Sequence, residues 1–398
     1  MLRFLHCADL HLDRSFEGLH TISKRVKKMP AINEQMLENI VFIAIDKKVD
    51  MVLLAGDTFH QNHPSFKTQH HFVSQMQRLE KNQIPVYVIF GNHDYYEKER
   101  YWFDFPKNVH LFTEEKVATF TSQIKSGESV SISGFSYRHP HLNQGKVKEF
   151  PNKKSDYHIG LYHGDPTSDY FAPFRMEEMK QKNYDYWALG HIHVPTLLSD
   201  EPPIIYSGTP QGHTQKEKET GVNLVELTPT TKKWQKITVS GIQWVEKSVS
   251  LSNLRSQKEV LQKVEGLFEK SADQLIKIYF TGVDHLPENW LQEREKIEII
   301  DYLNEFFEKK QWHQMVYDLS IQEASREDKL SLAANEAFKE QILSPYQKKE
   351  VFEETVSELY SHPLFPRELE EQLSKQSIEQ VRQVLDYKFS WEKANEVD

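Results

Sequence analysis

Five short apolar runs in the first half of the chain each stop at a small or polar residue and then present acidic, amide or imidazole side chains. They read LRFLHCADLH, VDMVLLAGDTFH, IPVYVIFGNHD, YHIGLYHGD and YDYWALGHIH. Runs this short and this rich in Val, Ile, Leu and Tyr read as buried strands. Between the first three lie helical patterns. Met36, Leu37, Ile40, Val41 and Ala44 recur at helical spacing within Ile32 to Lys48, and Phe72, Val73, Met76 and Leu79 do so in a segment that opens at Pro64. Strand alternating with helix makes an α/β layered domain.

The strand ends carry the chemistry. They are Asp9-Leu10-His11, Gly56-Asp57-Thr58-Phe59-His60, Gly91-Asn92-His93-Asp94, His163-Gly164 and Gly190-His191-Ile192-His193. Each one alone has a blander reading: GD after a strand is commonly a turn, GNHD a loop, and HxH a pair on one face of a half-exposed strand. In an open α/β sheet, however, the carboxyl ends of strands line one edge, where binding sites form. Carboxylates, an amide oxygen and four imidazoles can converge there from distant parts of the chain. That inventory suits two metal ions sharing a ligand.

Bulk composition sets the bounds. The chain has 398 residues, 38% of them apolar and 12% aromatic, enough for two or three globular domains. The longest apolar run, Ile40 to Ile45, is too short to cross a bilayer, and Arg3 and Asp9 interrupt the N-terminal apolar residues, so neither a membrane span nor a secretory signal is expected. A cytoplasmic location is the expectation that follows. The single cysteine, Cys7, excludes an internal disulfide and a cysteine-based metal cluster, and reads as a small buried residue of the first strand. The net charge of −10 argues against a surface that is basic all round. Local basic stretches remain, at Ser23 to Lys28 and at Lys146, Lys148, Lys153 and Lys154, and each also reads as an ordinary solvated face.

The ordered set DxH, GDxxH, GNHD, H and GHxH resembles the calcineurin-like metallophosphoesterases. Within them the chain resembles the SbcD-type DNA repair exonucleases and, among these, the shorter YhaO-type bacterial proteins. Two features carry the branch. Phe59-His60 and Asp94 stand where the protein phosphatases of the superfamily resemble one another in GDxxDRG and GNHE, which removes a phosphate-clamping Arg. The stretch IIYSGTPQGHTQKEKETGVNLVEL, Ile204 to Leu227, is similar to the passage from nuclease core to cap, and departs from it at His213 and the Lys-rich residues that follow.

The resemblance implies two divalent ions, with manganese the family precedent. Asp9, His11, Asp57 and His193 would hold the first, and Asp57, Asn92, His163 and His191 the second, so that Asp57 bridges. A carboxylate has two oxygens and can span two ions, whereas an imidazole terminates on one. Imidazole and oxygen donors without thiolate favour Mn, Fe, Co or Zn over Mg or Ca. His93 is implied as a non-ligand that donates a proton or hydrogen bond to substrate, with Asp94 orienting its other nitrogen, and His60 as a second non-ligand histidine touching the phosphate.

Three regions are expected: a metallophosphoesterase core over 1–235 with a β-sheet sandwich flanked by helices, a small α+β cap over 236–324, and a helical C-terminal segment over 325–398. In the cap, the pattern reads strand, helix, strand, helix, strand, with helices near Val260 to Phe268 and over Trp290 to Phe307 and a strand at Leu275 to Val283. The last segment carries 10 Lys and Arg against 16 Asp and Glu. Ser377 and Gln380 read as a capping box ahead of the amphipathic Ile378, Val381, Val384, Leu385 and Phe389. By resemblance it would dock the coiled-coil root of an SMC-like ATPase; the alternative is that it folds back on the cap. DNA is the expected substrate, no membrane partner is expected, and a homodimer stays open.

Three functions stand side by side at this point. One is a two-metal phosphodiesterase cutting DNA, the second a phosphatase or a small-molecule or cyclic-nucleotide phosphodiesterase on the same scaffold, and the third a metal-free scaffold protein. The complete ligand set disfavours the third, and the long extension after the core is superfluous for a small substrate.

Overall fold

The computed structural model describes residues 1–19, 32–61, 63–252, 254–270, 273–283, 286 and 291–322. The basic stretch Ser23 to Lys28, Trp290 at the start of the expected second cap helix, and the whole segment from Ser325 lie outside the described residues. Met1–Ile321 form one compact unit.

The core is a mixed α/β assembly of two six-stranded sheets. The first is ordered β12 (Lys232–Ile237), β11 (Val222–Leu227), β1 (Leu2–Cys7), β2 (Met51–Ala55), β3 (Val86–Ile89), β4 (Val109–Leu111). The second is ordered β5 (Ala118–Gln123), β6 (Ser129–Gly134), β7 (Tyr157–His163), β8 (Tyr186–Gly190), β10 (Pro203–Tyr206), β9 (Thr196–Asp200). Strands β1 to β4 run parallel, as do β6, β7, β8 and β10; the edges at β12, β5 and β9 pair antiparallel, whereas the edge strand β4 is parallel to β3.

The five chemistry-bearing strands therefore do not share one open sheet. β1, β2 and β3 belong to the first and β7 and β8 to the second, and the two sheets pack face to face. Period-2 alternation shows why both faces had to be apolar. Leu2 and Phe4 of β1, Met51, Leu53 and Ala55 of β2, Ile159 and Leu161 of β7 and Tyr186 and Ala188 of β8 fill the space between sheets. The alternate residues Leu5, Cys7, Val52, Leu54, Val86 and Val88 face outward. Ile159 is fully buried, so truncation to Ala would cost about 2–5 kcal/mol.

Helices cover that outer face. α1 (Ile32–Asp46) buries Met36, Leu37, Ile40, Val41 and Ala44, and α2 (Phe66–Lys81) buries Phe72, Met76 and Leu79. Ser65 caps α2 through its hydroxyl, which accepts from the Thr68 amide at 3.1 Å. On the far side of the second sheet, the short α3 (Met176–Lys180) contributes Met179 to a cluster with Tyr162, Trp187 and Phe150.

Past β12, which extends the first sheet just beyond position 235, a third sheet forms from β13 (Gln243–Ser250), β14 (Gln274–Thr281) and β15 (Gln314–Ile321), all parallel. α4 (Gln257–Glu265) and α5 (Glu293–Lys310) lie between them in sequence, and their buried Val260, Val264, Leu303 and Phe307 share a core with Ile276, Ile278 and Phe280. Strand, helix, strand, helix, strand thus alternate in the order read from the sequence. No helix among the described residues is long and apolar enough to cross a membrane.

Candidate metal centre

Parallel strands bring their carboxyl ends to one edge, and here two sheets do so together. The ends of β2 and β8 pass so closely that a Cβ on Gly190 would sit 2.0 Å from the Ala55 carbonyl oxygen. At Gly91 it would sit 2.2 Å from Asp57 Oδ1 and 2.7 Å from the His163 ring. Only glycine fits either place. Around this edge, Asp9, His11, Asp57 and His191 have φ of 52°, 43°, 52° and 105°, the left-handed region that side chains rarely occupy. Strain of about 1–3 kcal/mol at each such residue persists only where the surroundings enforce it.

All seven expected ligands meet at this edge. Asp9, His11 and His193 offer donor atoms within 4.8 Å of one another, as do Asp9, Asp57 and His163. His11 and His193 face each other through their Nε2 atoms at 3.1 Å. His163 Nε2 lies 3.1 Å from Asn92 Oδ1 and 3.4 Å from Asp57 Oδ2, and His191 Nδ1 lies 3.0 Å from the same Asn92 oxygen. Asp57 Oδ2 is also 3.9 Å from His11 Nε2, so this carboxylate stands between the two histidine groups. Asp9 belongs to both compact groups, and its two oxygens also accept the His191 amide at 3.0 and 3.2 Å.

Tautomers can be read from the outer nitrogens. His163 Nδ1 is 2.9 Å from the Ala55 carbonyl, which can only accept, so Nδ1 carries a proton and Nε2 is the inward nitrogen, free to offer a lone pair to a cation once it is deprotonated. His193 Nδ1 is 2.6 Å from Glu217 Oε1, with the same consequence. The centre is therefore ringed by acceptors: imidazole lone pairs, carboxylate oxygens and an amide oxygen. Acceptors facing acceptors in a buried place repel unless a cation lies among them. The residues present fit divalent metal ions.

The electrostatics agree. Burial alone would raise the Asp57 carboxyl, but the charge and hydrogen bond of His163, with His11 and His93, hold it below the usual carboxylate range. Burial likewise lowers His163, yet Asp57 and Asp9 reverse this and raise it to about 9. A proton on His163 thus serves the buried carboxylates when no cation does. Burial and the Asp57 charge push Asp9 up to about 6, and burial with the His163 charge pushes His191 down to about 4.

His93 and His60 stand beside the ligand cluster. Their rings stack at 4.7 Å, and each meets the His11 ring edge-on at 5.1 Å. The His93 amide donates to Asp57 Oδ1 at 3.0 Å. Burial, with His93 and Arg14 nearby, lowers His60. Asp94 does not orient His93: His93 Nδ1 faces the His60 carbonyl oxygen at 3.3 Å. Asp94 is instead buried beneath the loops. Its Oδ1 accepts the Gly91 and Asp57 amides at 2.7 and 3.2 Å, and its Oδ2 the Thr58 and Phe59 amides at 2.7 and 3.3 Å. Four backbone donors outcompete one imidazole, so Asp94 ties the two ligand loops together.

Sequence reasoning missed three contributors. Asp13 accepts the His60 and Gln61 amides at 2.6 and 3.1 Å, and Arg14 Nη1 donates to Glu217 Oε1 at 3.1 Å. Glu217 reaches His193 from a Lys- and Glu-rich stretch that gives no signal of its own. His213, where the chain departs from the SbcD-type passage, is fully buried and faces Asn33 Oδ1 at 3.0 Å through Nε2.

Comparisons with known proteins bear on the same residues. The family model for calcineurin-like phosphoesterases matches residues 2–195, which contain every expected ligand. The chain is similar, at 28% identity over 96% of its length and 95% of the relative's, to the uncharacterized metallophosphoesterase YhaO of Bacillus subtilis. It is 28% identical to the DNA double-strand break repair protein Mre11 of Haloferax volcanii over 58% of this chain and 50% of that one. A shorter match, 30% identical over 23% of this chain and 22% of the relative, is to the SbcD component of the SbcCD nuclease of Bacillus subtilis. With a complete ring of inward-turned ligands at the shared edge of two sheets and the family model laid over it, residues 2–195 form a calcineurin-like phosphoesterase domain.

Proposed function

We propose that this protein is a manganese-dependent phosphodiesterase that cleaves DNA, with Asp9, His11, Asp57 and His193 holding one ion and Asp57, Asn92, His163 and His191 the other. The observation that carries the reading is the stacked His60 and His93 pair beside the ligand cluster. These two imidazoles stand where a phosphate held by the centre would arrive, and no arginine clamp replaces them in the second and third motifs. The Mre11 and SbcCD relatives support the choice of DNA, each over part of its length.

When bound, two divalent ions activate water and neutralise charge developing on phosphate oxygens. The chain's own part is separate. His93, fixed through its amide on Asp57, presents its ring to the leaving group for proton donation. His60 supports it by stacking, and the Asp13 carboxylate holds the His60 backbone in place. Asp94 keeps the Asp57 and Asn92 loops in register.

In the same reading, residues 325–398 dock an SMC-like coiled-coil ATPase. That part rests on sequence resemblance and on the SbcCD name of one relative, which is that of a multi-component nuclease.

The deciding experiment compares a labelled DNA strand with a phosphomonoester, with manganese and with chelator. Manganese-dependent cleavage of DNA in preference to the monoester is expected. Faster hydrolysis of the monoester would assign the site to a phosphatase.

A further inference from the structure

Glu217 lies outside the family model's residues and outside every motif, yet it is built into the centre. Its side chain is 8% exposed, and Oε1 lies 2.6 Å from His193 Nδ1. The other oxygen, Oε2, accepts the amides of His213 and Thr214 at 2.7 and 3.1 Å. Arg14 Nη1 also reaches Oε1, and the Arg14 side chain is only 12% exposed. Two backbone donors and a guanidinium thus fix the carboxylate before it meets the imidazole. A carboxylate this well held is an orienting device rather than a chance neighbour.

The loop beneath it is held on its far side by the third sheet and the turn that leads into it. Trp244 Nε1 donates to the Gly212 carbonyl at 2.8 Å. Gln211 Oε1 accepts the Gly241 amide at 2.8 Å, and Gln211 Nε2 donates to the Ile242 carbonyl at 3.0 Å. Lys218, next to Glu217, pairs with Glu246 of β13 at 2.8 Å. The 211–218 loop therefore touches a metal-facing histidine on one side and the third sheet on the other.

We infer that Glu217 is the positioning residue for His193, holding its Nδ1 protonated and its Nε2 aimed at the ion shared with Asp9 and His11, and so sets the affinity of the first metal position without acting on the second. The inference rests on the ligand assignment above. Carboxylates that accept from the outer nitrogen of a ligating histidine commonly govern metal affinity by about 10–100-fold. Here the effect is confined by geometry. His193 Nε2 faces His11, whereas the His163, Asn92 and His191 contacts make no use of Glu217.

The test is manganese binding by calorimetry and metal analysis on the full chain for wild type, Glu217→Gln, His193→Ala and the double variant. Glu217→Gln keeps the shape and one acceptor oxygen. It should weaken one of two manganese ions by about 10–100-fold and leave the other within about twofold. On the His193→Ala background the same change should have no further effect, whereas with His193 present Glu217→Asp should lose less affinity than Glu217→Gln. In the metal-free protein, nitrogen NMR should show the His193 Nδ1 proton in wild type and its loss or exchange in Glu217→Gln. Two ions weakened equally, two ions unchanged, or an undiminished effect without His193 would each overturn the inference. If wild type itself binds no pair of ions, the ligand assignment fails instead.

Discussion

The imidazole of His163, the last residue of β7, donates from Nδ1 to the carbonyl oxygen of Ala55, the last residue of β2, at 2.9 Å. This one bond joins the two sheets at their common edge. It also decides the chemistry, because it leaves Nε2 as the nitrogen aimed at Asp57 and Asn92, a lone pair for a cation once its proton is displaced. Packing of the sandwich and preparation of the ligand are the same event.

A pH dependence follows from that pair. In the metal-free protein the His163 value is raised from 6.5 to about 9, with burial opposing and Asp57 prevailing. For a histidine raised on folding, the stabilisation is complete below pH 6.5 and is lost as pH climbs through 9. Metal-free protein should therefore become less heat-stable from pH 6.5 to 9. With saturating manganese the proton is displaced, so this loss of stability between pH 6.5 and 9 should disappear. Parallel slopes in thermal melts with and without metal would contradict the account.

Asp57 stands 3.4 Å from His163 and 3.9 Å from His11, between the two histidine groups. Asp57→Ala should lower manganese occupancy at both positions and abolish hydrolysis, whereas Asn92→Ala should chiefly weaken the second. Metal content per chain checks this directly: two tight ions in the Asp57 variant would sink the assignment.

His93 touches Asp57 only through its backbone amide. His93→Ala should keep both ions and the affinity for DNA, and lose turnover by about 10²–10⁴-fold, the usual worth of a positioned proton donor. Loss of metal in this variant, or unchanged turnover, would refute the role.

Asp94 predicts the opposite pattern. Its carboxylate accepts four buried amides, and each one orphaned costs about 1–3 kcal/mol. Asp94→Ala should therefore lower the melting temperature and weaken metal binding together, and Asp94→Asn, which keeps one acceptor oxygen, should do so less. A variant that melts normally but turns over slowly would return Asp94 to the orienting role expected from sequence.

These two neighbours show where sequence reading succeeds and where it stops. The strands of the site were legible because strands covered on both faces must be continuous apolar runs, and their ends were legible because Asp57, Asn92 and His191 have no packing reason to follow such runs. The sandwich was implied by the family resemblance, but which strand belongs to which sheet was not legible in the residues. β3 and β7 read alike, since each is parallel and doubly covered, and only the tertiary structure shows that they lie in different sheets. The sequence locates Asp94 in the third ligand loop but cannot show its partners, because these are backbone amides, which leave no trace in side-chain identity. Glu217 is invisible in the sequence for a related reason: in KEKET every carboxylate looks solvated until the loop's bonds to the third sheet bury one of them.

The last prediction concerns the end of the chain. Met1–Ile321 form one compact unit that contains all the proposed ligands, together with Glu217 and the third sheet that grips its loop. Deleting residues 325–398 should therefore leave a folded protein that binds two manganese ions and cleaves naked DNA. The proposed docking of an SMC-like coiled-coil ATPase should be lost, and Val381→Glu in the full chain should lose it too, because a charge would enter the apolar stripe from Ile378 to Phe389. Co-purification with the ATPase encoded in the same cell, set beside a melting curve of each variant, separates the outcomes. Retention of the ATPase by both variants would dismiss the docking proposal, and an unfolded truncation would assign the C-terminal segment to the core.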